Sequence, residues 1–488
     1  MKNQVQLITY VDRLTGGLLE LAAILNGPLA GIFGGAHLLP FFHPIDGADA
    51  GFDPIDHTSV DSRLGTWDDL RTLGETAEVM ADLIVNHVSC NSPQFQDYLQ
   101  KGAASLHAGM FLTYDRVFPQ GATEADLLRI YRPRPGLPFT YTTLATGEKR
   151  LLWTTFTPRQ IDIDVTHAQG KAYLDAILEG FHAAGIRAIR LDAVGYAVKK
   201  PGSSCFMIPE TFDFIAELTA RARSLQMEVL VEVHSYYKRQ VEIARQVDWV
   251  YDFALPPLLL HALYKADARP LFDWLKLRPQ NSITVLDTHD GIGVIDVGAD
   301  GPDNPGLLEP AAINDLVETI HKLSNGESRL ATGAAANNLD LYQVNCTFFD
   351  ALGRNETKYL IARVLQFFTP GIPQVYYIGL LAGTNDMELL ARTGVGRDIN
   401  RHYYTAREIE AALEKPVVLK LLDLIRLRNT HPAFDGECSV ASPDSHLLDI
   451  AWMLGDNWIK LHVDLAQPCA KIEYSSAGTC GSATVRIE

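Results

Sequence analysis

Eight short β-rich runs recur along the chain, at residues 5–10, 36–42, 79–87, 188–194, 228–234, 247–255, 282–290 and 374–378. Between them lie stretches such as 171–184 and Pro209–Ser224, whose apolar residues recur at three- and four-residue intervals, the period of a helix with one buried face. Strands that alternate with helices predict a parallel sheet, because parallel neighbours need a crossover and the helix supplies it. Eight such units predict an α/β fold of the (β/α)8 TIM-barrel type. An open doubly wound sheet is the alternative, weakened because no GxGxxG follows the first run.

The spacing then locates insertions. A barrel of about 250 residues gives each βα unit about 31. His87 and Asp192 stand 105 residues apart, and Asp290 and Gln374 stand 84 apart, so both intervals carry additional chain. Asp192 to Glu232, at 40 residues, is close to a single unit. The expected organisation is a barrel built from 1–87, 166–290 and 351–435, an inserted B domain at 88–165, a second insertion at 291–350, and a small C-terminal β domain at 436–488. The first insertion is rich in turn residues, including Arg132-Pro133-Arg134-Pro135-Gly136-Leu137-Pro138. The tail alternates apolar and polar residues, as in Leu447-Leu448-Asp449-Ile450-Ala451-Trp452.

Composition narrows the partners. With 47% hydrophobic and 21% charged residues, wholesale disorder is excluded. A net charge of −17 opposes nucleic acid and anionic membrane alike, so an anionic substrate must be caught by local positive charge. Six scattered cysteines show no CxxC or Cys/His ligand spacing, which predicts a reducing compartment without zinc or haem. The N-terminal residues lack the pattern of a signal peptide. The longest uncharged run, 364–385, is interrupted by Pro370, Gly371 and Pro373, which predicts a helix end, a turn and a strand and not a membrane span. A cytoplasmic protein is expected.

Catalytic groups of such barrels stand at the C-terminal ends of the strands. Here those ends read Asp82-Leu83-Ile84-Val85-Asn86-His87, Arg190-Leu191-Asp192, Glu232-Val233-His234 and Asp287-Thr288-His289-Asp290. One terminal acid is a routine cap or ion pair. Four strand ends that converge on one rim with acids and histidines predict a site, since buried charge is costly without a use. The two-residue period puts Arg190 and Asp192 on one face of their strand, and Glu232 and His234 share a face of theirs by the same rule. Two carboxyl groups on neighbouring strands suit retaining glycoside chemistry, which needs a nucleophile and an acid/base about 5–5.5 Å apart. Arg190 is expected to hold Asp192 ionised. Glu232 has no cation beside it in sequence, which suits a proton donor with a raised pKa.

These motifs resemble the signature regions of the α-amylase superfamily. Longer stretches resemble one of its families, the sucrose phosphorylases: Pro40-Phe41-Phe42-His43-Pro44-Ile45-Asp46-Gly47-Ala48-Asp49-Ala50-Gly51-Phe52-Asp53, Tyr131-Arg132-Pro133-Arg134-Pro135-Gly136, Ala334-Ala335-Ala336-Asn337-Asn338-Leu339-Asp340-Leu341-Tyr342-Gln343 and Gly396-Arg397-Asp398-Ile399-Asn400-Arg401. The resemblance runs to about residue 435 and implies a two-step retaining transfer of glucose from sucrose to inorganic phosphate. It implies Asp192 as nucleophile, Glu232 as acid/base and Asp290 as the carboxylate that grips sugar hydroxyls in the transition state. Asp49 and Arg397 would fix the far side of the glucose, His87 and His289 would donate to its hydroxyls, and Phe52 and Phe156 would pack on it.

On the acceptor side, the resemblance implies a mobile loop in the second insertion that exchanges Asp340, which favours fructose, for Tyr342, which favours phosphate. Arg134 is the expected phosphate fork. Arg190, Tyr196, His234 and Gln343 complete the candidate substrate-binding set. The expected partners are sucrose, phosphate, glucose 1-phosphate and fructose. The family includes homodimers, which makes a second copy of the chain an expected partner too. No cofactor or metal is called for, and no EF-hand-like acidic loop is present to bind calcium. The rival readings are a related phosphorylase (of sucrose 6-phosphate, glucosylglycerol or glucosylglycerate), a hydrolase or transglucosidase, and a catalytically dead binding barrel. The last should have lost one of the three carboxylates, and all three are present.

Overall fold

A computed structural model describes residues 1–132, 136–333, 343–475 and 482–488. Eight strands close into a barrel: β1 (Gln6–Thr9), β2 (Gly35–Leu38), β3 (Glu78–Ile84), β4 (Ala188–Asp192), β5 (Glu228–Val231), β6 (Trp249–Asp252), β7 (Ser282–Thr284) and β8 (Ile372–Tyr376). Each strand pairs in parallel with the next, and Gln6↔Gln374 closes the ring between β1 and β8. The α/β barrel expected from the alternation is therefore the fold.

The period of two decides what the barrel contains. On β4, Ile189 and Leu191 are fully buried toward the helices, while Arg190 points inward and pairs in register with Asp82 of β3. The interior is polar. Tyr251 Oη lies 3.4 Å from His37 Nδ1 and 3.3 Å from Gln374 Oε1, and His37 Nε2 lies 3.2 Å from Asp82 Oδ2. These groups form a hydrogen-bonded floor beneath the strand ends, which satisfies polar atoms that the low-dielectric interior would otherwise penalise.

The strands are shorter than the runs that announced them. β5 ends at Val231 and β7 at Thr284, so Glu232, His234 and Asp287–Asp290 stand on irregular chain above the sheet. The two-residue period does not carry into that chain. His289 and Asp290 are adjacent yet both face the site, which a strand would forbid.

The helix Pro209–Ser224 has the bounds that its periodicity indicated. Residues 364–385 form the end of the helix Glu356–Phe368, then β8, then a short helix Tyr377–Leu380. Among the described residues, no helix is long and apolar enough to cross a membrane.

Between β3 and β4, the segment His87–Ser89 pairs with Gln160–Asp162, and a hairpin joins Phe139–Thr143 to Lys149–Trp153. Leu112, Val117, Phe118, Ile130 and Trp153, with Cys205 from the chain after β4, form a small apolar cluster separate from the main core. Between β7 and β8 come the helices Pro310–Leu323 and Glu327–Thr332 and the paired segments Ile292–Gly293 and Gln343–Val344. The chain ends in a five-stranded antiparallel sheet, from Glu437–Ala441 to Ser482–Ile487, with neighbours in sequence order. Its buried face packs against the helix Glu356–Phe368, where Trp452 Nε1 donates to Phe368 O at 2.8 Å.

Candidate active site

One guanidinium organises the floor of the site. Arg190, 2% exposed, places Nη1 2.6 Å from Asp82 Oδ1 and 3.0 Å from Asp192 Oδ1, and Nη2 3.2 Å from Glu232 Oε1. The arrangement follows from register: Arg190 and Asp82 are opposite partners on β4 and β3, Asp192 is two residues on along the same face, and Glu232 follows β5 next door. The expectation that Glu232 stands away from any cation is corrected here, because Arg190 reaches it across the strands.

Three carboxylates share that one guanidinium, and burial leaves Asp82 and Asp192 in opposite states. Burial would raise Asp82, but Arg190 and His37 outweigh it and hold the carboxyl at about 2. Asp192 goes the other way. Burial, with the Glu232 and Asp82 charges behind it, pushes Asp192 well above the usual carboxylate range despite Arg190. Arg190 pulls Asp192 toward its charged form, as its expected role requires, but burial outweighs that pull.

The opposite wall is rich in cations. Asp290 Oδ1 lies 3.0 Å from Arg397 Nη1, 3.6 Å from His289 Nε2 and 3.7 Å from Arg401 Nη2. Burial opposes its ionisation, yet Arg397, His289 and Arg401 together hold it far below the ordinary range. Arg397 also approaches Asp49 at 3.4 Å, so the two residues expected to grip one end of the substrate meet in the structure. Asp49 and Ala50 adopt positive φ of 52° and 54°, a strained turn that brings the Asp49 side chain to the site.

Aromatic and imidazole rings close the space between these walls. Phe52 stacks on His289 with centroids 4.8 Å apart and lies under the Arg190 guanidinium at 5.4 Å. His87 Nε2 is 3.0 Å from Phe52 O, its ring meets Phe156 edge-on at 5.3 Å, and Phe156 meets Tyr196 at 5.1 Å. Burial keeps both histidines neutral, with His289 at about 3. His87 Nδ1 is buried without a hydrogen-bond partner among the described residues.

Beyond Glu232 stands His234, whose Nε2 is 4.0 Å from Glu232 Oε1 and 3.2 Å from Gln343 Nε2. Gln343 Oε1 accepts from Gly291 N at 3.4 Å. Arg134, Asp340 and Tyr342 lie outside the described residues. Donor atoms of Glu232, His234 and Asp290 fall within 4.8 Å of one another. Each already has a protein partner, Arg190, Asp296 and Arg397 respectively, so the trio reads as an acid–base cluster and not as a metal centre.

Four groups escaped the sequence reading. Arg401, 1% exposed, is four residues past Arg397, and only the short 3₁₀ helix Gly396–Asn400 brings both toward Asp290. Asp287 is held by Arg363 Nη2 at 2.8 and 2.9 Å, which anchors the irregular chain leading to Asp290. Asp296 accepts from His234. Lys199 Nζ lies 2.5 Å from Asp162 Oδ2 and donates to Asn86 Oδ1 at 2.8 Å and to the Tyr196 carbonyl at 2.5 Å. That ammonium ties the inserted segment to the ends of β3 and β4. The Arg-x-x-x-Arg spacing was the one available signal; the rest are long-range pairings.

Comparison with known proteins is consistent with this geometry. The chain is 63% identical over 476 residues to a sucrose phosphorylase of Agrobacterium vitis, covering 97% of this chain and 98% of that protein. It is 55% identical over 455 residues to a sucrose phosphorylase of Bifidobacterium adolescentis, covering 93% and 90%. Its fold superposes with a TM-score of 0.92 on the crystal structure of sucrose 6F-phosphate phosphorylase from Thermoanaerobacter thermosaccharolyticum, at 37% identity and covering 99% and 98%. No family model matches the chain.

Proposed function

The chain belongs to the sucrose phosphorylase family of the α-amylase superfamily, and from that premise we propose how its own residues carry out the reversible phosphorolysis of sucrose to α-D-glucose 1-phosphate and D-fructose. The observation that carries the reading is the Arg190 guanidinium bonded to both Asp192 and Glu232, which sets a nucleophile and an acid side by side in one orientation.

In the first step Asp192 attacks the anomeric carbon, the bond to the fructose oxygen breaks, and the proton of Glu232 goes to that oxygen. In the second, a phosphate oxygen attacks the same carbon and gives its proton to Glu232, and the bond to Asp192 breaks. Two inversions return the α configuration. Asp290, kept ionised by Arg397 and Arg401, bonds sugar hydroxyls that grow more acidic as positive charge develops on the ring, so its grip is strongest in the transition state. Asp49 and Arg397 lie within 3.4 Å of each other and together bind hydroxyls at the far end of glucose. Phe52, His87, Phe156 and His289 complete the donor side. Arg134, Tyr196, His234, Asp340, Tyr342 and Gln343 serve fructose and phosphate.

Segments 88–165 and 291–350 are the two insertions that deliver this acceptor side, on a barrel formed by 1–87, 166–290 and 351–435, with 436–488 as a small C-terminal β domain. The reading places the enzyme in the cytoplasm, with small-molecule partners, no nucleic acid or membrane, and a second copy of the chain as in the family's homodimers. Incubation with sucrose, with and without phosphate, tests it. Glucose 1-phosphate and fructose in equal amounts are expected. Glucose as the main product in abundant phosphate would overturn the phosphorylase reading, and no turnover of sucrose would shift it to a phosphorylated or glycerol-type glucoside.

A further inference from the structure

His234 is tethered from behind. Asp296, fully buried, accepts from His234 Nδ1 at 2.9 Å, from Ser235 N at 3.1 Å and from Gln240 Nε2 at 2.9 Å. The imidazole lies flat on Phe253, with centroids 3.7 Å apart and an interplanar angle of 16°. A Cβ on Gly293 would stand 2.5 Å from Asp296 Oδ2 and 3.1 Å from His234 Nδ1, so the pair sits directly against backbone. The ring is held at Nδ1 and on one face, and Nε2 is the nitrogen turned toward Glu232 and Gln343.

We propose that Asp296 is a positioning residue of the acceptor half of the reaction: it fixes the His234 ring and supports a positive charge on it, so that His234 Nε2–H is offered beside Glu232 when phosphate enters. The chain is strongly acidic, with a net charge of −17, and the acceptor pocket must still receive a dianion after Glu232 has lost its proton. Among the described residues, the charged groups that face the imidazole are Asp296, Glu232 and Asp290, all acidic, with the Arg190 guanidinium on the far side of Glu232. Burial opposes a charge on His234, but those three carboxylates outweigh it and raise its pKa above the ordinary value. In the neutral ring, Nε2 accepts from Gln343 Nε2. On protonation Nε2 becomes a donor, which the Gln343 NH2 cannot satisfy, so Nε2–H is left to an incoming acceptor oxygen. The first half-reaction, in which neutral fructose leaves, has no comparable need for the charge.

The inference rests on the phosphorylase reading, and the test separates the two. The wild type, Asp296→Asn, His234→Gln and the double variant are assayed with sucrose and inorganic phosphate between pH 5.5 and 8. No glucose 1-phosphate from the wild type would defeat the reading itself. If the wild type forms it, Asp296→Asn is expected to raise the phosphate KM at least tenfold, and more steeply as pH rises, while the sucrose KM changes less than threefold. In the His234→Gln background, Asp296→Asn should add little, since both act through one ring. Equal loss on both substrates, an unchanged phosphate KM or additive effects in the double variant would overturn the proposal. Histidine-selective NMR of the wild-type protein, with His234 assigned by His234→Gln, decides independently of how the Asp296 variant folds. The ring should stay protonated above pH 6.5; a ring neutral throughout pH 5.5–8 would contradict the proposal.

Discussion

Arg190 Nη2 lies 3.2 Å from Glu232 Oε1 while the other arm of the same guanidinium lies 3.0 Å from Asp192. A planar fork holds two carboxylates in fixed directions on separate nitrogens; an ammonium offers a single nitrogen with no such fixed geometry. Arg190→Lys should therefore keep the local charge, lose the bridge and lower kcat by about 10³-fold or more, with a smaller change in sucrose KM. Steady-state kinetics check it. A variant within tenfold of the wild type would mean that charge, and not orientation, is what Arg190 supplies.

Lys199 and Asp162 make the second test. Their side chains are 2% and 0% exposed, and removing the ammonium leaves a buried carboxylate without its cation. Lys199→Met should destabilise the fold by about 3–5 kcal/mol, as expected for breaking a buried pair. Because Asp162 belongs to the strand that returns from the insertion, limited proteolysis should cut first within 93–153. Denaturant melts and digestion patterns read both effects. An unchanged melt would place the strength of that junction elsewhere.

Much of this was legible in the chain. The alternation of strand and helix identified the barrel, and the acids and histidines at its strand ends identified the rim. Arg190 and Asp192 could be placed on one face because both lie within β4, where the two-residue period holds. The period fails once the chain leaves the sheet, so His289 and Asp290 came together from the resemblance and not from strand alternation. Arg401, Asp296 and Lys199 were hidden for another reason. Each acts through a partner distant in sequence (Asp290, His234 and Asp162), and apart from the spacing of Arg397 and Arg401 no local pattern encodes such a meeting.

Asp53 supplies a pH test. It follows Phe52 in the strained loop that carries Asp49, is 5% exposed, and its Oδ1 has no hydrogen-bond partner among the described residues. Burial, reinforced by the Asp49 charge, raises its pKa to about 7. The sign follows from linkage: the folded state binds a proton that the unfolded state releases, so this stability is complete below about pH 4 and disappears as pH rises through 7. Asp53→Asn, which cannot ionise, should gain on the wild type by up to about 1.4 kcal/mol per pH unit between pH 4 and 7, then level off. Urea melts across that range give the slope, and a pH-independent difference would show that Asp53 is not protonated in the fold.

The central claim is that glucose rests on Asp192 between two separate displacements. The most direct measurement is isotope exchange between labelled inorganic phosphate and glucose 1-phosphate in the absence of fructose. The wild type should exchange label with the α configuration retained, and Asp192→Asn should not exchange at all. Exchange that requires fructose, or that survives in Asp192→Asn, would contradict a covalent intermediate on that residue.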